Sequence, residues 1–150
     1  MKSISVDAGF LIGLYDESDQ FHLKAAEYFL SFFDSTRNRL LIPWPVLYET
    51  VSTRMVKNRK GLALLERDWK LLRGQGRLEL LPDTQFRDAA IDECFEELGK
   101  PNPHYRSLSA VDRVLRKMLS DVNIQIHAFV TFNPKDFRDV CIRFGCELHC

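Results

Sequence analysis

Four carboxylates stand where an acid does chemistry as readily as architecture. Asp7 closes the apolar run Ile4-Ser5-Val6 and precedes Ala8-Gly9-Phe10-Leu11-Ile12. Glu49 lies within Val46-Leu47-Tyr48-Glu49-Thr50-Val51, and Asp112 ends Leu108-Ser109-Ala110-Val111-Asp112. Asp136 belongs to Thr131-Phe132-Asn133-Pro134-Lys135-Asp136-Phe137, just after the strongest late strand candidate. Each falls at a strand end or in the opening turns of a helix. In a parallel sheet those places share the carboxyl rim, where open α/β sheets bind ligands. Converging carboxylates repel one another and are costly to bury without a partner. A divalent cation relieves both problems. Mg²⁺ and Mn²⁺ take oxygen ligands, and an ion so held activates a water and stabilises a phosphoryl oxygen. That is chemistry for cutting a phosphodiester.

Each acid also has a structural reading. Asp7 can cap a helix. Ser109-Ala110-Val111-Asp112 matches a capping box with Asp in place of Glu or Gln. Asn133-Pro134-Lys135-Asp136 reads as an N-cap, a proline at the first helical position and an acid at the third. Glu49 can lie on a solvated helix face or pair with Arg54. Taken singly, each acid suits the structural role better; placement at successive strand–helix junctions favours the chemical one.

The elements that would position these acids alternate. Strand candidates are Lys2–Val6, Arg39–Ile42, Leu78–Leu81, which Pro82 ends, Ala128–Thr131 and Glu147–His149. Helical spacing covers Ala8–Tyr15, then His22–Phe33 with Ala25, Ala26, Phe29, Leu30 and Phe33 on one side. Pro43 and Pro45 delay the helix that carries Val46, Leu47, Thr50 and Val51. Further helices are expected over Leu62–Arg73, before Gly74-Gln75-Gly76, and from a cap at Asp83 or Thr84 to Leu98, where Gly99 stops it. Lys100-Pro101-Asn102-Pro103-His104 reads as a loop, Leu108–Leu119 as a helix and Val140–Phe144 as a last helical turn. The alternation predicts a three-layer α/β/α sandwich with a central, mostly parallel sheet.

The chain has 150 residues, 45% hydrophobic and 28% charged, the size and composition of a single globular domain over 1–150. Lys plus Arg and Asp plus Glu balance at 21 each, which argues against coating nucleic acid by bulk positive charge. No stretch reaches the ~18 consecutive apolar residues of a membrane helix, and the start lacks the pattern of a secretory signal, so a cytoplasmic protein is expected. Of the four cysteines, Cys94, Cys141, Cys146 and Cys150, none forms a Cys-x-x-Cys pair. They are expected reduced, with Cys94 and Cys141 in the core. The tail Cys146-Glu147-Leu148-His149-Cys150 alternates as an edge strand does, more than as a metal knuckle. No Gly-x-Gly-x-x-Gly follows a strand, which argues against dinucleotide binding. A phosphorylatable receiver would want clustered acids after the first strand, where Ala8 and Gly9 stand.

Order and spacing together resemble the PIN domain, the fold of VapC-like toxin ribonucleases. Val6-Asp7-Ala8-Gly9-Phe10-Leu11-Ile12-Gly13-Leu14 is similar to the family's opening strand and first acid, and Asp19-Gln20-Phe21-His22 to an Asp-x-x-His segment of its second helix. Glu49 matches the second acid, Ser109-Ala110-Val111-Asp112 the Ser-x-x-Asp of the third, and Phe129–Phe137 the final strand with its Thr-x-Asp/Asn segment. Asn133 stands where the family often has Asp. The resemblance implies that Asp7 and Asp112 hold Mg²⁺ or Mn²⁺ and that Glu49 ligates or orients the attacking water. By the same resemblance Asp136 and Asn133 would complete the site, with Thr131 supplying a supporting hydroxyl. It further implies metal-dependent hydrolysis of single-stranded RNA, an antitoxin protein as partner, and a homodimer. The competing class is a catalytically weak or inactive PIN-like module that binds RNA or protein.

Around the acids, Arg54, Lys57, Arg59 and Lys60, with Arg113, Arg116 and Lys117, form either a basic rim for phosphates or solvated helix faces. Trp44, Tyr48 and Tyr105 can stack on bases if exposed, with Trp44 expected in the core. His22 is expected to serve packing or the helix surface rather than catalysis.

Overall fold

Ile4, Ser5 and Val6 are all buried, as in a strand covered on both faces. They make β1 (Ser3–Val6), the middle strand of the sheet, in a computed structural model that describes residues 1–34, 36–101 and 107–150. On one side β1 pairs with β2 (Arg39–Pro43), Ser5 opposite Leu41; on the other it pairs with β4 (Ala128–Val130), Val6 opposite Val130. β3 (Leu78–Leu81) adds outside β2 and β5 (Glu147–His149) outside β4. Among the described residues this is a five-stranded, all-parallel sheet in the order β3-β2-β1-β4-β5. The chain leaves β1 toward β2 and β3, then crosses to β4 and β5 on the other flank. β1 and β4 are therefore neighbours whose connections run opposite ways, the switch point where such sheets open a crevice at their carboxyl ends.

Alternation along β2 assigns its faces. Leu40 and Ile42 join the larger core with Phe10, Leu11, Val46 and Leu72. Leu41 turns the other way and packs with Leu81, Ala90, Val114 and Met118. The first layer holds α1 (Ala8–Tyr15), α2 (His22–Phe29), α3 (Trp44–Thr50), α4 (Thr53–Lys57) and α5 (Arg59–Gly74). The second holds α6 (Arg87–Glu96) and α7 (Ala110–Ser120), with α8 (Arg138–Phe144) packed against α7. The result is the expected α/β/α sandwich. Among the described residues no helix is long and apolar enough to cross a membrane.

Several boundaries differ from the sequence reading. The second helix is α-helical only to Phe29 and widens to a π-helical turn over Leu30–Asp34. Before the helix expected at Leu62, Asn58 ends the short α4 and caps α5 by accepting the Gly61 N–H at 3.0 Å. α6 starts at Arg87 with no side-chain cap: the Asp83 carbonyl accepts from Phe86 and Arg87, and the Asp83 carboxylate pairs with the Arg87 guanidinium at 2.8 Å. Gly145, at φ 71°, closes α8 in the left-handed conformation. β5 is the edge strand the tail pattern suggested, and Cys141 is buried while Cys94 is only half-buried.

Gly61 lets α5 lie against the end of α1. A methyl group there would sit 2.3 Å from the Tyr15 carbonyl oxygen, a backbone atom that cannot swing away. Gly61→Ala is therefore expected to destabilise the fold by about 2 kcal/mol, despite the helix propensity of alanine. A urea midpoint equal to or above wild type would contradict this packing.

Candidate active site at the carboxyl edge of the sheet

Asp7 leaves β1 at the switch point and serves two structures at once. Its Oδ1 accepts the Phe10 N–H at 2.9 Å, capping α1. Its Oδ2 accepts the Thr131 hydroxyl at 2.5 Å. Thr131 directly follows β4 and is fully buried; its Oγ1 accepts the Asn133 N–H at 2.9 Å. The hydroxyl is thus a relay from the Asn133 amide to Asp7, each bond polarising the next. The cap foreseen for Asp7 is real, and it orients the carboxylate instead of consuming it.

Asp112 enters from the second layer. Ser109 caps α7, its Oγ accepting the Asp112 N–H at 3.1 Å, which sets Asp112 in the first helical turn. Glu49 enters from α3, one residue before its end. Burial raises the Asp7 carboxyl above its ordinary range, the Thr131 and Phe10 hydrogen bonds pull it down, and the Asp112 charge raises it again. Glu49 is raised by partial loss of hydration, although its outer surface stays exposed, then by Asp112 and then by Asp7. Asp7, Glu49 and Asp112 therefore share one field of mutual repulsion, drawn from three elements far apart in sequence.

Asp136 is anchored differently. It is buried in the 3-10 turn Pro134–Asp136, and its Oδ2 accepts the Asn133 amide Nδ2 at 2.5 Å. Its backbone carbonyl accepts from Arg116 at 2.7 Å. Asn133 starts this turn without a side-chain cap and turns its amide to Asp136 instead. The acids that raise Glu49 include Asp112 and then Asp7.

Among the described residues no group of three His, Cys, Asp or Glu side chains is set to hold a metal ion. The donors at the edge still suit a hydrated hard cation. They are oxygens that repel one another, and Mg²⁺ is usually bound through one or two carboxylates while waters complete its octahedron.

The surrounding cations are mostly spent on neighbours. Arg54 pairs with Asp16 at 2.7 Å rather than with Glu49, and Lys60 with Glu17 at 2.9 Å. Arg113 is buried between Glu97, at 2.8 Å, and Glu93, at 3.5 Å, and Lys117 also meets Glu93. Arg116 grips Asp139 with two bonds of 2.7 Å, holding that carboxyl down near 2. Lys57 and Arg59 remain exposed. His22 packs as expected, its Nδ1 donating to the Gly13 carbonyl at 2.8 Å.

Trp44, expected in the core, is 36% exposed, and Tyr48 is 73% exposed. Their rings stand 5.8 Å apart on α3, beside Glu49. α3 starts at Trp44, and Val46 and Thr50 form its buried side. Tyr105 lies outside the described residues. The sequence reading did not single out the aromatic group Tyr28, Phe32 and Phe132 beside Thr131; the eleven phenylalanines were its only signal.

No family model matches the chain, and no curated protein matches it in sequence. Solved structures match it in fold. VapC20 of Mycobacterium tuberculosis, a sarcin–ricin-loop-cleaving toxin, superposes with a TM-score of 0.58 at 18% identity, over 91% of this chain and 94% of that one. VapBC2 of Rickettsia felis, bound to a DNA fragment from its promoter, superposes with a TM-score of 0.51 at 16% identity, over 98% of this chain and 97% of that one. The fold is therefore the PIN-like α/β sandwich, along nearly the whole chain.

Proposed function

We propose that this chain is a divalent-metal-dependent endoribonuclease of the VapC kind, hydrolysing a phosphodiester of single-stranded RNA. The observation that carries the reading is the joining of Asp7, Glu49 and Asp112 in one repelling field at the switch point. Asp7 and Asp112 are the principal ligands of Mg²⁺ or Mn²⁺, which when bound supplies an activated water and positive charge for the phosphoryl oxygen. Glu49, its carboxyl raised by partial burial and by Asp112 and Asp7 and its outer surface open to solvent, orients the attacking water and receives its proton. Thr131 holds Asp7 in place; Asn133 and Asp136 close the far side of the pocket. Trp44 and Tyr48 offer ring faces to unpaired bases. The likeness to a VapBC complex supports an antitoxin protein as partner; a cytoplasmic location and a homodimeric toxin are part of the same proposal.

Cleavage of an RNA panel with Mg²⁺ or Mn²⁺, comparing wild type with Asp7→Asn and Asp112→Asn, tests the reaction. Equal cleavage by all three proteins overturns it. Thr131→Val should lower activity about tenfold, the usual effect of losing a hydrogen bond to a ligand. Raising the Mg²⁺ concentration should restore part of the loss, because the defect is in holding the ion.

One observation favours a second reading, a non-enzymatic binding module on the same fold: the described residues hold no preformed three-residue metal group. Titration with Mn²⁺ separates the two, since a module without the site binds no ion at millimolar concentration.

A further inference from the structure

A cleft of about 270 Å³ opens beside Thr131, and the hydrolysis proposed above leaves it unused. Val130, the last residue of β4, and Phe132 form its inner end, so it lies at the carboxyl edge next to the Asp7–Thr131 bond. Tyr28 and Phe32 form an aromatic wall, their rings stacked with centroids 4.2 Å apart. The Tyr28 hydroxyl is taken up by His149 Nδ1 at 2.5 Å, which fixes that ring. Phe132 is held by Phe21, stacked at 4.5 Å, and carries the Lys24 ammonium 5.9 Å from its ring centre. Lys24, Glu27 and Ser31 recur at the spacing of one helical face and line the same cleft. The π-helical turn over Leu30–Asp34 carries Ser31 and Phe32 into it; such widened turns recur at functional sites.

We infer that this cleft receives an unpaired nucleobase of the RNA strand, with preference for a base bearing an exocyclic amino group. The inference rests on the ribonuclease reading for the identity of the strand. Fixed aromatic walls match the flat face of a base, and a cation, a carboxylate and a hydroxyl match the donors and acceptors along its edge. A phosphate is disfavoured because Glu27 stands one helical turn from Lys24. An apolar side chain would leave both charges facing it. Glu27 only accepts hydrogen bonds, so it favours the exocyclic amino group of adenine, cytosine or guanine, with its two N–H donors, over uracil, whose one base donor is a ring N–H flanked by carbonyls, while Lys24 donates to an adjacent ring nitrogen or carbonyl. The cleft and the Trp44–Tyr48 pair then hold bases on opposite sides of the acids along the sheet edge.

Short-wavelength ultraviolet crosslinking of a randomised single-stranded octaribonucleotide to Asp7→Asn in chelator, with the joined peptides mapped by mass spectrometry, tests the cleft without cleavage. Crosslinks at Tyr28, Phe32 or Phe132 are expected. Adding Lys24→Ala and Glu27→Ala, both exposed and remote from the core, should lower that yield about tenfold. It should also erase the enrichment of amino-bearing bases in the captured RNA. Crosslinks confined to Trp44 and Tyr48, or a yield unmoved by the double substitution, overturn the inference. Wild-type cleavage in Mg²⁺ is scored separately. Cleavage without crosslinks in the cleft overturns the cleft alone, and crosslinks in the cleft without cleavage overturn the reaction alone.

Discussion

Asp7→Asn is expected to abolish RNA cleavage, by about 10³-fold or more, while making the metal-free protein more stable. The first half follows from the proposed role of Asp7 as a metal ligand, whose charge would be worth several kcal/mol in the transition state. The second follows from the sign of the Asp7 shift. Burial and Asp112 raise its carboxyl above the ordinary 3.8, against the pull of Thr131 and Phe10. A group raised on folding favours the fold only while protonated. Its contribution is complete below the unfolded value and is lost as pH rises through the folded one. At neutral pH the ionised Asp7 therefore works against the fold. Asparagine removes that charge yet remains a good helix cap: its Oδ1 can accept from Phe10 and its Nδ2 can donate to the Thr131 oxygen. The gain is limited by the solvent that still reaches the edge and by the acceptor that the buried Thr131 hydroxyl loses, and it is read as a higher Tm. Melts in chelator should show this gain at pH 7 and its disappearance toward pH 3. Added Mg²⁺ should then raise the wild-type Tm and leave the variant unmoved. A variant less stable than wild type at pH 7 in chelator would mean that Asp7 serves the fold and not a cation.

On the proposed reading the acids are held in a state that costs stability until a cation is bound. Glu49 behaves alike, raised by Asp112 and Asp7. Residues that weaken a fold in order to be ready for a ligand are the usual exceptions to local consistency. Asp7 was legible in the sequence for that reason: a carboxylate interrupting an apolar strand breaks the pattern around it. Asp112 was legible through the Ser109 cap that positions it. Pairings across the fold were not. Nothing in the period of α4 or α5 says that Arg54 turns to Asp16 or Lys60 to Glu17, because ion pairs between distant elements depend on how layers dock. The core status expected for Trp44 failed for a related reason: hydrophobicity suggested burial, but the docked helix buries Val46 and Thr50. The break between α4 and α5 depends on Asn58 ending one helix and capping the next, an arrangement that helical spacing alone did not disclose.

The largest effect on stability is expected from Arg77→Ala, at about 3 kcal/mol and a Tm lower by roughly 10 °C. Arg77 is only 7% exposed. It stands just before β3 and reaches back across the connection into β2. Its Nε donates to the Asn38 carbonyl at 3.0 Å, and its Nη2 to the carbonyls of Phe33 at 2.5 Å and Thr36 at 2.6 Å. Nη1 donates to Gln75 at 2.8 Å. Burial, and then the charge of Arg37, lower its pKa, yet a guanidinium keeps its charge. Carbonyl dipoles therefore replace its water. Truncation removes a buried charge, which by itself is favourable, but strips three backbone carbonyls of their donor, and the orphaned acceptors dominate. Lysine is not a substitute, because one nitrogen cannot serve acceptors spread around a planar fork. Arg77 lies where β2 and β3 begin, at the amino ends of the parallel strands, while Asp7 and Thr131 lie at the carboxyl ends. Arg77→Ala should therefore lower the urea midpoint while leaving kcat on RNA unchanged at a temperature where the variant is still folded. A loss of kcat there would show that the two ends of the sheet are coupled.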